Sequence, residues 1–219
     1  MIAMFSDASL LILALAIPAA VALLVALTGR WPNLREAISL VGALLLAVTI
    51  FMLLARVLGG ARPSLHLATI APGLDLALAL EPLGMLFASV AATLWIANTI
   101  YSIGYMRGNS EPRQTPFYSA FAVAIFSTMG VALSGNLITL FLFYELLSLS
   151  TFPLVTHKQS PEAMRAGRVY LLTLIGASMI LLLPAIIWTA VATGTTAFTT
   201  GGILAGHVNP IGMAVLFGM

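Results

Sequence analysis

Glu145 sits near the middle of an otherwise uncharged stretch, Asn136 to Thr156 (NLITLFLFYELLSLSTFPLVT). Its length and apolarity predict a membrane-spanning helix. A charge at the bilayer centre costs roughly 2.5–3.5 kcal/mol on insertion scales, so such carboxylates usually face a protein interior or a water path. The chemistry they do there is movement of protons or cations. Burial among Leu and Phe favours the neutral acid, whereas a nearby cation favours the anion. A carboxylate poised between the two takes up and releases protons near neutral pH. The alternative is structural: a protonated Glu145 that hydrogen-bonds a neighbouring helix. By helical spacing Glu145 shares a face with Phe141, Leu142, Ser148 and Leu149. Ser148 and Thr151 add hydroxyls toward one end of the span.

The segment His157 to Arg168 (HKQSPEAMRAGR) follows that span. Arg168, at the start of the next apolar stretch, is the candidate electrostatic partner of Glu145. His157 is a weaker candidate, a proton relay because imidazole titrates near neutrality; the alternative is a solvated loop histidine. Lys158 and Arg165 read as topology-setting charges, and Pro161 with Glu162 suits a helix start. Tyr144, Trp31, Trp95 and Trp188 fit packing or interface roles. His66, His157 and His207 lie far apart and there are no cysteines, so no metal site is predicted. No cofactor is expected, and no catalytic chemistry in the enzymatic sense.

The elements that must hold Glu145 follow from composition. Hydrophobic residues make up 61% of the chain and charged residues 7%, against about 25% charged in soluble domains. A net charge of +2 is too small to suggest nucleic acid. Recurrent stretches of about 20 apolar residues must be helices, because lipid leaves backbone polar groups no other partner. The expected fold is therefore an all-α integral membrane protein, a polytopic bundle of six transmembrane helices plus the start of a seventh. The spans fall at about 8–27, 37–58, 83–105, 117–133, 136–155 and 167–192, with Pro18 as a kink in the first and Pro184 breaking the sixth; the seventh begins near Pro210. The first span carries Asp7 and no basic leader, so it reads as a retained helix and not a cleaved signal peptide.

Residues 64–82 hold two alternating runs around Pro72-Gly73, which predicts a short β-hairpin at the membrane surface, with Asp75 as a solvated loop charge. Ser134-Gly135-Asn136 allows only a tight turn, with Asn136 as N-cap of the fifth helix. Ala120, Ala124, Thr128 and Ala132 form a small-residue stripe on the fourth, suited to close helix packing. Arg30, Arg35, Arg107, Arg113, Lys158, Arg165 and Arg168 fall in loops on one side, and only Arg56 and Arg62 on the other. The basic side is cytoplasmic by the positive-inside rule, so the N-terminus is expected outside.

The segments EPLGMLF to YSIGYMR, SGNLITLFLFYELLSLSTFPLVTH and SPEAMRAGRVYLLTLIGAS resemble the antiporter-like, proton-translocating subunits of respiratory complex I, membrane-bound hydrogenases and Mrp-type cation/proton antiporters. The last two look most like the D-type component of the Mrp antiporters. The resemblance runs from Glu81 to about Leu183. It implies an external N-terminus and identifies Glu145 with the family's helix-five glutamate, one member of a Glu–Lys pair that drives proton movement. It also implies a division into 1–80, with two helices and an external hairpin, and 81–219, the start of the proton-translocating domain. The family's lysine lies on a broken seventh helix, and no lysine follows Lys158 here. The chain thus reads as a piece of a longer product or a frameshifted remnant, expected to be poorly stable and not to transport by itself.

The leading expectation is a subunit for coupled cation/proton antiport in a bacterial inner membrane. Its partners would be lipid, other membrane subunits, protons and a monovalent cation. A proton-pumping subunit of complex I or a membrane-bound hydrogenase keeps the same fold. A membrane scaffold, in which Glu145 only hydrogen-bonds between helices, is the reading from another class.

Overall fold

The computed structural model describes residues 6–71 and 74–218. Helix starts are set by local chemistry. α1 (Asp7–Leu27) begins at Ser6, whose hydroxyl accepts the Ser9 N–H, and α2 (Pro32–Leu58) begins on a proline. That proline has no N–H to leave orphaned in the first turn, so α2 starts five residues before the apolar run that announces it. β1 (Ser64–Ala71) pairs antiparallel with β2 (Leu74–Ala79), Ser64 opposite Ala79 and Ala71 opposite Leu74. The hairpin is therefore present; its expected Pro72-Gly73 turn lies outside the described residues.

α3 (Pro82–Gly108) and α4 (Gln114–Ala132) lead to α5 (Leu137–Val155). The sixth span starts at Pro161, with the Ser160 hydroxyl accepting the Ala163 N–H. It consists of α6 (Pro161–Ala177), a π turn at Ser178–Leu182 and α7 (Leu183–Thr193). Pro184 cannot donate to the carbonyl of Ile180, so the ladder rewinds locally and Leu183 N–H reaches the Ser178 carbonyl. Gly194, at φ 72°, closes α7 in the left-handed conformation that suits glycine. α8 (Pro210–Gly218) begins at the expected position.

Among the described residues six helices are long and apolar enough to cross a membrane. The chain is a multi-pass membrane protein. Its interior shows how such helices associate where lipid is as apolar as leucine. Ala14, Ala43, Ala47, Ala88, Ala92 and Ala122 are buried, while Leu23, Leu45, Leu86 and Leu94 are exposed. α4 packs against α1, α3 and α5. With neighbours on three sides, it buries more than the expected stripe: Ala124 is buried, its three companions are half-buried, and Tyr118, Ala122 and Met129 are buried beside them. Trp95 is in the core, and Trp31 and Trp188 are exposed.

Candidate proton site on α5

The N-terminal end of α5 is tied down before the charge is reached. Asn136 caps the helix, its Oδ1 accepting the Thr139 N–H at 2.8 Å. Its Nδ2 donates to the Asp75 carbonyl at 2.7 Å, and Ala77 N–H donates to the Thr139 hydroxyl at 3.0 Å. Ala79 N–H reaches the Leu133 carbonyl, and Gly135 N–H the Ala77 carbonyl. The hairpin thus continues into the α4–α5 turn. Thr195 to Phe198 joins there as well, through Leu137 N–H to the Thr196 carbonyl and Phe198 N–H to the Gly135 carbonyl. Asp75 accepts the Thr69 hydroxyl at 2.6 Å and lies 3.3 Å from His66 Nε2. The Thr69 bond, then His66, holds its carboxyl below the usual carboxylate range.

Glu145 lies two turns into α5. Of its expected neighbours, Phe141 and Ser148 are buried, whereas Leu142 and Leu149 are exposed. Glu145 therefore occupies the boundary between the packed and open edges of the helix and is half-buried. Its Oε1 is shut off from solvent and has no hydrogen-bond partner among the described residues. Toward the other end the Ser148 hydroxyl donates to the Tyr144 carbonyl, and the Thr151 hydroxyl donates to the Ser148 carbonyl at 2.8 Å. Tyr170 of α6 meets Thr151 at 3.1 Å. Hydroxyls from two helices therefore lie within two turns of Glu145 toward the C-terminal end of α5, and Tyr170 is one that spacing on α5 alone could not reveal.

α6 approaches α5 through Gly167, where an added side-chain carbon would collide with Thr156. One residue on, Arg168 is exposed and forms no ion pair among the described residues. The structure does not bring it into contact with Glu145. His157 is not a solvated loop residue. Its side chain is 15% exposed, stands edge-on to Phe117 with centroids 5.6 Å apart, and has Nε2 3.9 Å from Glu111 Oε2. That separation is an electrostatic contact and too long for a hydrogen bond.

A second charged group at this end escaped sequence reading. Glu36, buried in the first turns of α2, accepts from Arg107 of α3 through both oxygens and lies 3.4 Å from the Arg35 guanidinium. Arg35, also buried, donates to Gln114 at 2.6 Å and Thr115 at 3.1 Å, and lies over the Tyr118 ring. The group clamps α2, α3 and α4 together. At the opposite end Arg56 pairs with Asp7 at 2.6 Å.

Comparison with known proteins agrees with this architecture. The family model described as NADH:quinone oxidoreductase/Mrp antiporter, TM, matches residues 134–218, which include Glu145. The Na(+)/H(+) antiporter subunit A1 of Staphylococcus aureus strain bovine RF122 / ET3-1 is 34% identical over 91 residues, 42% of this chain and 11% of that protein. The strain Newman protein is 33% identical over the same lengths. The chain thus spans about a tenth of the length of these curated relatives. The archaeal membrane-bound sulfane sulfur reductase complex contains a chain of the same fold, with TM-score 0.79 and 21% identity, covering 96% of this chain and 42% of that one. The Mrp complex from Dietzia sp. DQ12-45-1b contains another, with TM-score 0.67 and 24% identity, covering 94% and 22%. These curated relatives are named subunit A1, so they support the likeness at the level of the antiporter family and not the D-type component in particular. The family model's description names both NADH:quinone oxidoreductase and the Mrp antiporter. Over residues 134–218 this chain is therefore similar to antiporter-like membrane subunits, and its fold is theirs.

Proposed function

We propose that the chain is a proton-translocating part of a multisubunit cation/proton antiporter, with Glu145 as the group that takes up and releases the proton. The observation that carries this reading is the Glu145 carboxylate, with Oε1 buried and without a hydrogen-bond partner among the described residues. Buried polar groups kept for structure are satisfied by neighbours. A relay group must instead be free to change charge, and a permanent partner would hold it in one state. The hydroxyls of Ser148, Thr151 and Tyr170 lead from it toward the loop that begins at His157. Arg168, in this reading, adds positive potential at that end without a direct contact.

The basic loops give the direction. Arg35, Arg107 and Gln114 meet at one end of the bundle, and Arg56 and the hairpin lie at the other. With the positive-inside rule the His157 end is cytoplasmic and the N-terminus outside. A reporter placed at Gln159 should be shielded from the exterior, and external labelling there would contradict this orientation.

The exchanged ion is a monovalent cation, on the names of the Staphylococcus aureus relatives. A second reading is favoured by the family model's own scope, which includes NADH:quinone oxidoreductase: the chain then serves a redox-driven pump. Proton flux in vesicles holding the assembled complex separates the two. A sodium or potassium gradient drives it in an antiporter, and only electron donation drives it in a pump.

A further inference from the structure

The connection between α3 and α4 carries a carboxylate that the relay above does not use. Glu111 is largely buried, with 18% of its side chain exposed, and points at His157 from a separate part of the chain. His157 forms the wall between two crevices. One, about 290 Å³, is lined by Tyr105, Glu111, Phe117 and Lys158 as well. The other, about 200 Å³, is lined by Arg113, Phe152, Thr156 and Gln159. The Nε2 atom is buried and has no hydrogen-bond partner among the described residues. Phe117 packs against the ring edge-on and restricts its orientation.

We propose that Glu111 and His157 form a proton-exchange pair at the cytoplasmic mouth of α5. The inference rests on the reading of Glu145 as the relay group. The imidazole takes a proton from water in the first crevice and becomes imidazolium, and the Glu111 carboxylate supplies the counter-charge. The imidazolium then gives up a ring proton toward water in the second crevice and returns to neutral; that crevice reaches Phe152 and Thr156, about one helical turn from Thr151. The reverse sequence delivers protons outward to the cytoplasm. Imidazole suits the task because it changes charge within the physiological range. The other titratable or charged groups facing the two crevices are Tyr105, Lys158 and Arg113. Lys158 and Arg113 are cations, and Glu111 is the one carboxylate among the described residues that line the two crevices. Ring and carboxylate are held at a distance where charge matters and no hydrogen bond traps the proton.

The test uses the full-length subunit in its complex, in vesicles, with cytoplasmic-side pH varied at fixed external pH. In Glu111→Gln, half-maximal flux should shift to a higher cytoplasmic proton concentration, because the variant removes the carboxylate 3.9 Å from the ring. Its response to external pH should be unchanged, and Glu111→Asp should stay near wild type. His157→Gln should flatten the cytoplasmic pH dependence. Wild-type profiles in both Gln variants at equal membrane abundance would overturn the proposal, and so would an equal loss of flux at every pH. If His157→Gln fails to assemble, Glu111→Gln decides. Glu145→Gln is measured alongside. If it transports normally while Glu111→Gln shifts the profile, the relay assignment fails and the exchange pair stands as the mouth of another path. If it abolishes flux while Glu111→Gln changes nothing, only the exchange pair fails.

Discussion

The side-chain amide of Asn136 donates to the Asp75 carbonyl at 2.7 Å while its oxygen caps α5. One side chain therefore sets the start of the helix that carries Glu145 and anchors the hairpin across it. Asn136→Ala should cost about 1 kcal/mol for the cap and about 1 more for the hairpin bond. Asn136→Asp keeps the cap acceptor and loses the amide donor, so it should lie between wild type and Ala. Thermal unfolding of the purified protein in detergent orders the three, and an Asp variant no better than Ala would argue against the cap.

Glu36 is the only anion between Arg35 and Arg107 among the described ion pairs. Glu36→Gln leaves the buried Arg35 guanidinium without its counter-charge, which should destabilise the fold by about 3 kcal/mol. Arg107→Gln should cost much less than Glu36→Gln, because the Arg107 side chain is 49% exposed and water screens it. Unfolding midpoints compare them, and a milder Glu36 variant would remove the clamp from the account.

What was legible in the sequence was local. The spans, the Asn136 cap, the hairpin runs and the break at Pro184 each follow from hydropathy or backbone chemistry within a few residues. The same reasoning located Glu145, because a lone carboxylate in an apolar run needs no partner to be noticed. The Glu36 clamp joins residues 71 positions apart, and Glu111 meets His157 from another connection. No periodicity encodes those meetings; they come from antiparallel helices returning loops to the same end. Arg168 shows the converse. Its position suggested a partner for Glu145, but Gly167 supplies the close approach and turns its neighbour outward.

The hairpin carries a pH dependence of defined sign. Asp75 is held below its ordinary value of 3.8 by the Thr69 hydroxyl and then by His66. A carboxyl depressed in the folded state stabilises above its unfolded value, and that contribution is lost as pH falls through the folded one. Protection of the strand amides, taken relative to Asp75→Asn, should be constant from neutral pH down to the ordinary carboxylate range and decline below 3.8. Thr69→Val should move the decline to higher pH. An unmoved decline would show that the hydroxyl does not hold the charge.

The central claim is that Glu145 works by gaining and losing a proton. Cation-driven proton flux should be measured in vesicles for the full-length subunit in its complex, with membrane abundance checked for each variant. Glu145→Gln keeps the shape and hydrogen-bonding capacity of the side chain but cannot titrate, so it should retain the fold and lose most of the flux. Glu145→Asp keeps the acid one methylene shorter and should retain part of it. If the Gln variant transports as well as wild type at equal abundance, Glu145 is structural and the claim is contradicted.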